Sequence, residues 1–447
     1  SAIETLNKFQ TRHQSGASGA ETDKIKEMEK CGITLTDLDE LSVIHVTGTH
    51  GKGSTCAYTE NILRNHGYKT GFYSSPHLLE VRERIKIDGK PISKSDFAEN
   101  FWKLYDMLDG QKENENDMPL YFPLLTVLAF YIFLKAKVDV AIVEVGIGGE
   151  YDRTNVIRKT IAVGITPINV DHTALLGSSV SSIAWHKAGI MKKGASAFTV
   201  QQSDEILGVL TERSKERECP LSVVATNFSM DDGLSKIPQH VRRTNASLAV
   251  ALSEEFVKRK RDNTIEPFSL ALALRSITNT HWPGRYQIKQ EKGIRWFLDS
   301  AHTVESVKTC AAWFRDETKT SAKKKGLIFN LTGSRDGAVF LKELLTCDFY
   351  LAIFIPNVGY KETPDSTNFK LTPDNQLQRC EEYKRTWIEL QQQVGGTPKE
   401  SVVFSSFAEA LAFLNDEEYD VLITGSLYLV GAALSVLDPT LDGTLSE

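Results

Sequence analysis

Short β-branched and apolar runs alternate along the first part of the chain with longer stretches that have helical patterning. This pattern predicts strands at residues 42–46, 69–73, 138–145, 161–165 and 197–200. It also predicts a helix over 54–66, which Gly67 closes, and a buried helix in the apolar run 124–134. Continuous apolar segments such as 140–143 are typical of strands covered on both faces.

The alternation restarts after a polar stretch and predicts a second set of strands at 296–298, 326–330, 349–355, 402–404 and 421–424. Alternating strands and helices predict an α/β fold with a mainly parallel sheet. The segment His281-Trp282-Pro283-Gly284 is the best domain boundary, because proline and glycine together interrupt regular structure. We therefore expect one domain at 1–283 and a smaller one at 284–447, with surface loops in the polar tracts 111–117, 230–239 and 361–378.

Composition narrows the class of protein. A chain of 447 residues exceeds the usual size of one domain, and 41% hydrophobic with 25% charged residues excludes wholesale disorder. With 52 basic and 58 acidic residues there is no basic field for nucleic acid, and the run 124–134 is too short to span a bilayer. Six scattered cysteines favour a reducing compartment. We expect a cytoplasmic protein with neither nucleic-acid nor membrane partners, and mitochondrial as well if a leader was trimmed.

The strongest chemical signal is a glycine-rich turn that follows a predicted strand and opens a predicted helix. Its candidate phosphate-binding residues are Gly48, Thr49, His50, Gly51, Lys52, Gly53, Ser54 and Thr55. Backbone N–H groups at such a turn face phosphates, a lysine neutralises their charge, and a hydroxyl reaches Mg²⁺. The spacing differs from the common P-loop, since only two residues separate Gly48 from Gly51. An ordinary βα turn is the alternative, and we expect phosphate binding.

Three further polar residues follow predicted strands or lie in a helix of the first domain. Glu144 ends an apolar strand, where a carboxylate is a natural Mg²⁺ ligand beside ATP or, equally, a helix cap. His172 lies in a loop, where a packing role is the commoner one. Lys187 is flanked by apolar residues and is either a partly buried amine or a surface lysine whose stem covers apolar neighbours.

The second domain contains two further candidate binding residues. Arg285 follows the proposed boundary and can form a charge-assisted fork on phosphate. Asp299 begins the segment Asp299-Ser300-Ala301-His302 after a strand, where it could accept a hydrogen bond from a ribose or an attacking ammonium group. A surface ion pair is the ordinary alternative for each.

Together these motifs resemble the folylpolyglutamate synthase family of the Mur ligase superfamily, and the resemblance extends from residue 2 to residue 431. Residues 47–55 resemble its P-loop, and 74–78 with 82–85 resemble its folate-side loop. The remaining matches, in the family order, are Glu144-Val145-Gly146, Asp171-His172-Thr173, Lys187-Ala188-Gly189 and Trp282-Pro283-Gly284-Arg285. The long segment before the P-loop resembles eukaryotic members.

The resemblance implies a P-loop ATPase domain and a Rossmann-like C-terminal glutamate ligase domain, with the active site in the cleft. It implies Mg²⁺ ligation by Ser75, Glu144 and His172, and a carbamylated Lys187 at a second metal. Nucleotide-binding positions would be Asn245, Arg285 and Asp299, besides the P-loop, and the catalytic residues Lys52, His172, Lys187 and His302. Three residues depart from the family pattern, namely His50, Arg242 and Ser300.

The implied reaction is ATP-dependent amide ligation, in which L-glutamate joins the γ-carboxylate of a folate through an acyl phosphate. The implied cofactors are ATP and Mg²⁺ at two sites, with a monovalent cation as a further candidate, and we expect a monomer. Three alternatives stay open: dihydrofolate synthase activity on dihydropteroate, another Mur-type amino-acid ligase, and a nucleotide-binding regulatory protein without ligase activity.

Overall fold

The structure, a computed structural model, describes residues 1–10, 21–113, 117–226, 238–260, 266–291, 293–333, 335–360, 373–414 and 418–445. Eight strands form the first sheet: β1 Val43–Thr47, β2 Thr70–Tyr73, β3 Ile85–Ile87, β4 Lys90–Pro91, β5 Val140–Glu144, β6 Ala162–Ile165, β7 Ser196–Val200 and β8 Leu221–Val224. Six form the second: β9 Gln287–Glu291, β10 Ile294–Leu298, β11 Lys324–Phe329, β12 Leu351–Phe354, β13 Glu400–Val403 and β14 Tyr419–Thr424.

Sixteen helices among the described residues accompany these sheets. They are α1 Ala2–Asn7, α2 Glu21–Lys30, α3 Leu35–Glu40, α4 Lys52–Asn65, α5 Lys94–Asp109, α6 Tyr121–Ala136, α7 Thr173–Leu176, α8 Val180–Ala188, α9 Asp204–Glu216, α10 Gln239–Lys260, α11 Leu270–Thr278, α12 Val304–Thr318, α13 Gly337–Leu344, α14 Pro373–Gln393, α15 Phe407–Phe413 and α16 Leu427–Leu437. None of these described helices combines the length and the apolar character that a membrane span requires.

The first sheet has the strand order β4-β3-β2-β5-β1-β6-β7-β8. Six neighbouring strands, β2 to β8 in that order, are parallel, whereas β3, next to one edge, is antiparallel to both of its neighbours, β2 and β4. Alternate residues of the central strands enter different cores: Val43 packs with α5 and α6, whereas Ile44 packs with α4 and α10. Helices therefore cover both faces, and the carboxyl ends of the parallel strands meet at one edge.

The second sheet has the order β13-β12-β11-β14-β10-β9, and only β9 is antiparallel to its neighbour. Phe297 of β10 packs in a core with α12, α13 and α14, while Trp296 packs on the opposite face with α15 and α16. The chain is thus built from two α/β units with mainly parallel sheets, which confirms the predicted fold class. The first sheet ends before residue 283 and the second begins after it, although the exact domain boundary stays a prediction.

Every predicted strand has a counterpart within a few residues, and the apolar run 124–134 lies inside the buried helix α6. Four strands were not predicted, namely β3, β4, β8 and β9. These strands lie at or next to sheet edges, where a strand can carry polar residues because it is less covered by helices. The sequence of β9, for example, is Gln-Ile-Lys-Gln-Glu. All six cysteines are buried free thiols.

The three predicted surface loops lie partly outside the described residues and partly in helices. Much of 230–239 and 361–378, and residues 114–116 of the first tract, lie outside the described residues. The loop prediction is wrong at 373–378, because α14 begins at Pro373, and at Gln239, where α10 begins. Proline is well suited to the first helical position because its missing N–H has no acceptor there anyway.

Candidate active site

The glycine-rich turn connects β1 to α4 at the carboxyl edge of the first sheet. Gly48 has φ 145° and Gly51 has φ 80°, both in the region that favours glycine. A Cβ atom at Gly48 would overlap the Thr166 side chain, and one at Gly51 would overlap the amide of Asn245. Asn245, although nearly 200 residues away in sequence, therefore lies directly against the turn.

The N–H groups of this turn fall into two sets. Those of Thr49 and His50 donate to the Pro167 carbonyl at 2.9 and 3.2 Å, so they are already used. Those of the four residues 51–54 have no acceptor within the described part of the chain, and Gly51 caps α4 without a side-chain hydrogen bond. An uncapped helix start with free N–H groups is a binding site for an anion. The buried Thr55 hydroxyl likewise has no hydrogen-bond partner in the described residues.

Two lysines converge on the carbonyl of Gly48. Lys52 Nζ donates to it at 3.1 Å and Lys187 Nζ at 2.7 Å. Only 4% of Lys187 is exposed, so the interpretation as a surface lysine is wrong. Burial, assisted by the nearby charge of Lys52, lowers the pKa of Lys187 to about 7. Near neutral pH a substantial fraction of this amine is therefore uncharged and available as a nucleophile toward CO₂.

Glu144 ends β5 beside this turn and is 5% exposed. Its Oε2 accepts a hydrogen bond of 3.2 Å from the N–H of Ser75, and a Cβ at Gly53 would lie 3.5 Å from the same oxygen. Burial raises the pKa of this carboxyl, while Lys52 and the Ser75 N–H lower it. Ser75 lies in the loop after β2, so this contact is not a helix cap. A buried carboxylate with a single hydrogen bond in the described structure suits a bound cation.

Asp171 and His172 follow β6 at the same edge. His172 caps the short helix α7 with φ 52°, and 41% of its side chain is exposed. Its Nε2 lies 3.5 Å from Asp171 Oδ2. Burial lowers the pKa of His172, with Asp171 acting in the opposite direction. Within the described residues no three His, Cys, Asp or Glu side chains form a cluster that could hold a metal.

The matching edge of the second sheet carries Asp299 and His302 after β10. Asp299 is only 3% exposed, so the alternative of a surface ion pair is wrong for it. Its carboxylate accepts the N–H groups of Tyr286 and Ala301, both at 3.0 Å. Burial raises the pKa of Asp299 to about 6, against the lowering effect of Arg285. His302 donates from Nδ1 to the Ser300 carbonyl at 2.9 Å.

Several contacts join the two edges. His50 Nε2 lies 3.2 Å from the hydroxyl of Thr303, which caps α12. Asp171 forms an ion pair of 3.1 Å with Arg335 and lies 3.9 Å from His302. Burial lowers the pKa of His50 to about 3, so the imidazole is neutral. His50, one of the three residues that depart from the family pattern, thus contacts the second domain. Arg242, the other departure in the first domain, is buried and donates to Thr278 Oγ1 at 3.1 Å.

Three residues that contact the site were not predicted as site residues from the sequence, although Trp282 belongs to the motif that ends at Arg285. Arg335 follows β11, just as the predicted residues follow their strands, and that position was the available signal. Asp152 Oδ2 accepts the Ile147 N–H at 3.0 Å and so fixes the loop after Glu144. Trp282 places its indole against Gly53, since a Cβ there would lie 3.1 Å from the ring. This last contact depends on the meeting of two distant segments and has no local signature.

The assembled edge can bind a polyanion and stabilise charge upon it. Free N–H groups, Lys52 and a helix start lie on one side, and a buried carboxylate lies next to them. Donors fixed before a ligand arrives are the arrangement that stabilises a phosphoryl group during its transfer. Arg285, whose Nη1 donates to the Gly284 carbonyl at 3.1 Å, lies between this edge and Asp299.

Comparison with known proteins gives consistent relatives. The chain is 36% identical to mitochondrial folylpolyglutamate synthase of Bos taurus, over 98% of this chain and 92% of that protein. It is 37% identical to the mitochondrial folylpolyglutamate synthase of Homo sapiens, over 98% of this chain and 92% of that protein. It is 36% identical to folylpolyglutamate synthase of Neurospora crassa, over 98% of this chain and 91% of that protein. No protein-family model matches the chain.

Solved structures agree in fold. Folylpolyglutamate synthase of Mycobacterium tuberculosis, crystallised with ADP and AMPPCP, superposes with a TM-score of 0.77 at 22% identity and covers 98% of each chain. Escherichia coli FolC in complex with DHPP and ADP superposes with a TM-score of 0.73 at 24% identity, again over 98% of each chain. Both arrangements of two α/β units match the one described above.

Proposed function

The chain belongs to the folylpolyglutamate synthase family, and from this premise we propose that its ATP-dependent addition of L-glutamate to folates takes place where the P-loop turn, Glu144 and Lys187 meet. The observation that carries this assignment is the set of four N–H groups, at 51–54, that lack an acceptor in the described structure. They lie next to Lys52 at the start of α4, which supports a triphosphate at this position.

The first chemical step makes the folate carboxylate reactive. A carboxylate is a poor electrophile at neutral pH, so its oxygen attacks the γ-phosphate of ATP, ADP leaves and an acyl phosphate forms. The turn N–H groups and Lys52 would hold the phosphates and spread the charge on the transferred phosphoryl group. Arg285, which is partly buried near Glu144 and Asp299, would add a further cation on the side of the second domain.

The residues around the turn fit a divalent cation. Glu144 is buried with one hydrogen bond in the described structure, and the Lys187 amine, whose pKa burial lowers to about 7, could carry a carbamate, which would supply a second carboxylate. We propose that Glu144, Ser75 and His172 hold one Mg²⁺ and that carbamylated Lys187 holds a second. When bound, the metal would neutralise phosphate charge beside the folate carboxylate.

The second step forms the amide. The amine of L-glutamate attacks the acyl phosphate, and the tetrahedral intermediate expels phosphate. We propose that Asp299 and His302 position the reactants from the second domain, and that the contacts of His50 with Thr303 and of Asp171 with Arg335 close the cleft over them. Closure would exclude water that hydrolyses the acyl phosphate.

The activity is tested by incubating the purified chain with ATP, Mg²⁺, radiolabelled L-glutamate and a panel of folates, followed by sizing of the products. We expect folates extended by one or more γ-linked glutamates, with one ADP released per glutamate added. The panel includes dihydropteroate, because its conversion to dihydrofolate would identify dihydrofolate synthase activity. ATP binding without glutamate-dependent ADP release would instead favour a regulatory nucleotide-binding protein.

The site is tested separately by Lys52→Ala. We expect a loss of roughly 10³-fold in kcat/KM, because one fixed cation is removed from the transferred phosphoryl group. Lys193→Ala is a matched control, since the Lys193 side chain is 75% exposed and pairs only with Glu218 among the described residues. Turnover by Lys52→Ala close to that of the control, with equal thermal stability, would contradict the P-loop assignment.

We further propose that the chain acts as a monomer, in the cytoplasm and, if a leader precedes it, in mitochondria. A monovalent cation is retained as a candidate cofactor. Sedimentation of the purified chain tests the first point, and comparison of turnover in potassium and tetramethylammonium buffers tests the last.

A further inference from the structure

The loop between β5 and β6 contains a largely buried 3₁₀ turn, Arg153–Val156, which polar contacts attach to the first sheet. The Oδ1 atom of Asp152, which caps the turn, accepts the N–H and the hydroxyl of Thr154 at 2.9 and 2.6 Å. His45 of β1 is fully buried, and its Nε2 lies 2.8 Å from the same hydroxyl. The single hydroxyl proton of Thr154 is used on Asp152, so His45 donates from Nε2. The turn is therefore attached to β1 as well as to its own loop.

Asn155 is the third residue of this turn and is 8% exposed. Its Nδ2 lies 3.0 Å from the carbonyl oxygen of Glu150 and 3.2 Å from that of Gly189. A carbonyl oxygen only accepts hydrogen bonds, so the side-chain NH₂ faces both oxygens and its two hydrogens serve them. The Oδ1 atom of Asn155 is buried and has no hydrogen-bond partner in the described structure. This amide is thus used through its donor side.

The two carbonyls belong to the two segments that carry proposed metal-binding residues. Glu150 lies in the loop that begins after Glu144, at the end of β5. Gly189 caps the C-terminal end of α8, two residues after Lys187. One side-chain amide therefore connects the Glu144 loop to the end of the Lys187 helix.

The loop and the helix end are in direct backbone contact. Glu150 N–H donates to the His186 carbonyl at 2.7 Å. A Cβ atom at Gly149 would lie 2.6 Å from that carbonyl oxygen, and one at Gly189 would lie 2.5 Å from Glu150 Cα. The last carbonyls of a helix lack the partners that a continuing helix would provide, and here the loop supplies them. A shift of this loop would therefore also move the end of α8.

We propose, on the basis of the Mg²⁺ ligation proposed above, that Asn155 is a positioning residue for ligation, because its amide holds Glu144 and Lys187 at a fixed separation. Asn155 acts through two backbone carbonyls and not on a reactant. A buried acceptor without a partner costs free energy, so an asparagine with an unpartnered Oδ1 is favoured here only if its two donor contacts compensate for it.

The step that depends most on this separation is carbamylation of Lys187. The neutral amine attacks the carbon of CO₂, an N–C bond forms, one C=O electron pair moves to oxygen, and the nitrogen loses a proton to water. Lys187 Nζ lies 2.7 Å from the Gly48 carbonyl, which fixes where the carbamate forms. Groups that orient metal ligands from behind typically contribute about 10–100-fold to metal affinity or activity.

The test is ¹³C NMR of the full chain equilibrated with ¹³C-bicarbonate and Mg²⁺, in which the signal lost in Lys187→Arg identifies the carbamate. Asn155→Asp keeps the shape of the side chain but replaces the NH₂ by an oxygen that faces two carbonyl oxygens. We expect this variant to need about 10–100-fold more bicarbonate for half-maximal carbamate. Its kcat should fall by a similar factor with KM for ATP within about threefold of the parent value, because Asn155 makes no hydrogen bond to residues 47–54 in the described structure.

Asn100→Asp is the matched control. Asn100, on α5, is 3% exposed, and its Nδ2 donates to the Asp96 carbonyl at 2.6 Å, so the substitution also removes a buried donor from a carbonyl. It should leave the bicarbonate dependence and kcat unchanged, whatever its effect on the free energy of unfolding. Asn155→Ser, which keeps one donor and adds no charge, is a milder second variant, and we expect a shift of about three- to tenfold in the same direction.

Undiminished carbamate in folded Asn155→Asp and Asn155→Ser, or an equal shift in Asn100→Asp, would overturn the positioning role alone. A parent chain without a signal that depends on Lys187 would overturn the carbamylated ligand of the proposed function, and the positioning role with it. The spectroscopic measurement needs no turnover, so both outcomes are separate from any failure of the ligase assay.

Discussion

At the carboxyl edge of the first sheet, four backbone N–H groups lack an acceptor in the described structure, and the buried Glu144 has one hydrogen bond. At the corresponding edge of the second sheet, the buried Asp299 accepts two backbone N–H groups and His302 donates to a carbonyl of its own loop. Both edges bury charged groups after parallel strands. The first leaves them for a ligand to satisfy, whereas the second satisfies them internally.

This difference indicates that the two edges have different roles. Groups left without partners in a buried position cost free energy unless a ligand supplies them, so they mark the place where binding and chemistry occur. Groups fully bonded to their own backbone hold a loop rigidly and present neighbouring atoms in a fixed position. We therefore expect substitutions at the first edge to affect turnover and those at the second to affect stability more.

The largest effect should come from Glu144→Gln. Removing the negative charge from the first edge should reduce kcat/KM roughly 10³-fold and raise the Mg²⁺ concentration required for half-maximal rate. His172→Ala should raise that concentration to a smaller extent, because His172 is more exposed. The measurement is a Mg²⁺ titration of the initial ligation rate. An unchanged Mg²⁺ dependence in both variants would remove these residues from the proposed metal site.

Gly51→Ala tests whether the backbone geometry of the turn at the first edge is needed for nucleotide binding. Gly51 has φ 80° and Asn245 against it, whereas Gly67 has φ 93° with open space around its Cβ position. Each alanine should cost about 1–2 kcal/mol of unfolding free energy from the left-handed backbone. Only Gly51→Ala should also weaken binding of AMPPCP, by at least tenfold, since Asn245 must move. Parallel titration of Gly67→Ala is the control, and an equal affinity in the two variants would contradict the assignment of Asn245 to this site.

Asp299→Asn should affect stability more than turnover, with a roughly tenfold loss of kcat/KM. The folded-state pKa of about 6 exceeds the ordinary value, so the native chain binds this proton more tightly than the unfolded chain. The stability that this proton binding contributes is greatest below about pH 4 and is lost as the pH rises through about 6, on the order of 3 kcal/mol in total. Asparagine removes that dependence.

Urea unfolding of the parent chain and Asp299→Asn between pH 4 and pH 7 measures this difference. Asp348→Asn is the control, because its side chain is 85% exposed. If the unfolding free energies of parent and Asp299→Asn remain parallel across this range, Asp299 does not titrate as a buried carboxyl.

The smallest effect should come from His50→Asn, which alters the contacts of this side chain between the two edges. The neutral imidazole lies 3.2 Å from the hydroxyl of Thr303 and edge-on to the His302 ring, with 6.3 Å between the ring centroids, so we expect an increase of about threefold in KM for ATP with kcat nearly unchanged. Thermal stability should not change measurably. A large fall in kcat would instead show that His50 takes part in the chemical step.

The P-loop turn could be predicted because its elements are contiguous. A strand, three glycines, a lysine and a helix start occur within residues 43–55, and local backbone preferences are enough to bring them into one turn. Glu144, His172 and Asp299 were found for a similar reason, since each follows an apolar strand in an alternating pattern and parallel strands end at one edge. The edge strands escaped prediction because β9 and the β3–β4 hairpin lack continuous apolar runs.

The sequence by itself determined the fold class and the glycine-rich turn, and it supplied the candidate residues, because each depends on a local pattern. Tertiary structure alone decided the rest. It placed Lys187 on the Gly48 carbonyl and buried it, which lowers its pKa, and it brought Arg335 to Asp171 and Trp282 to Gly53. Burial and contacts between distant segments are properties of the packed chain, and no stretch of neighbouring residues encodes them.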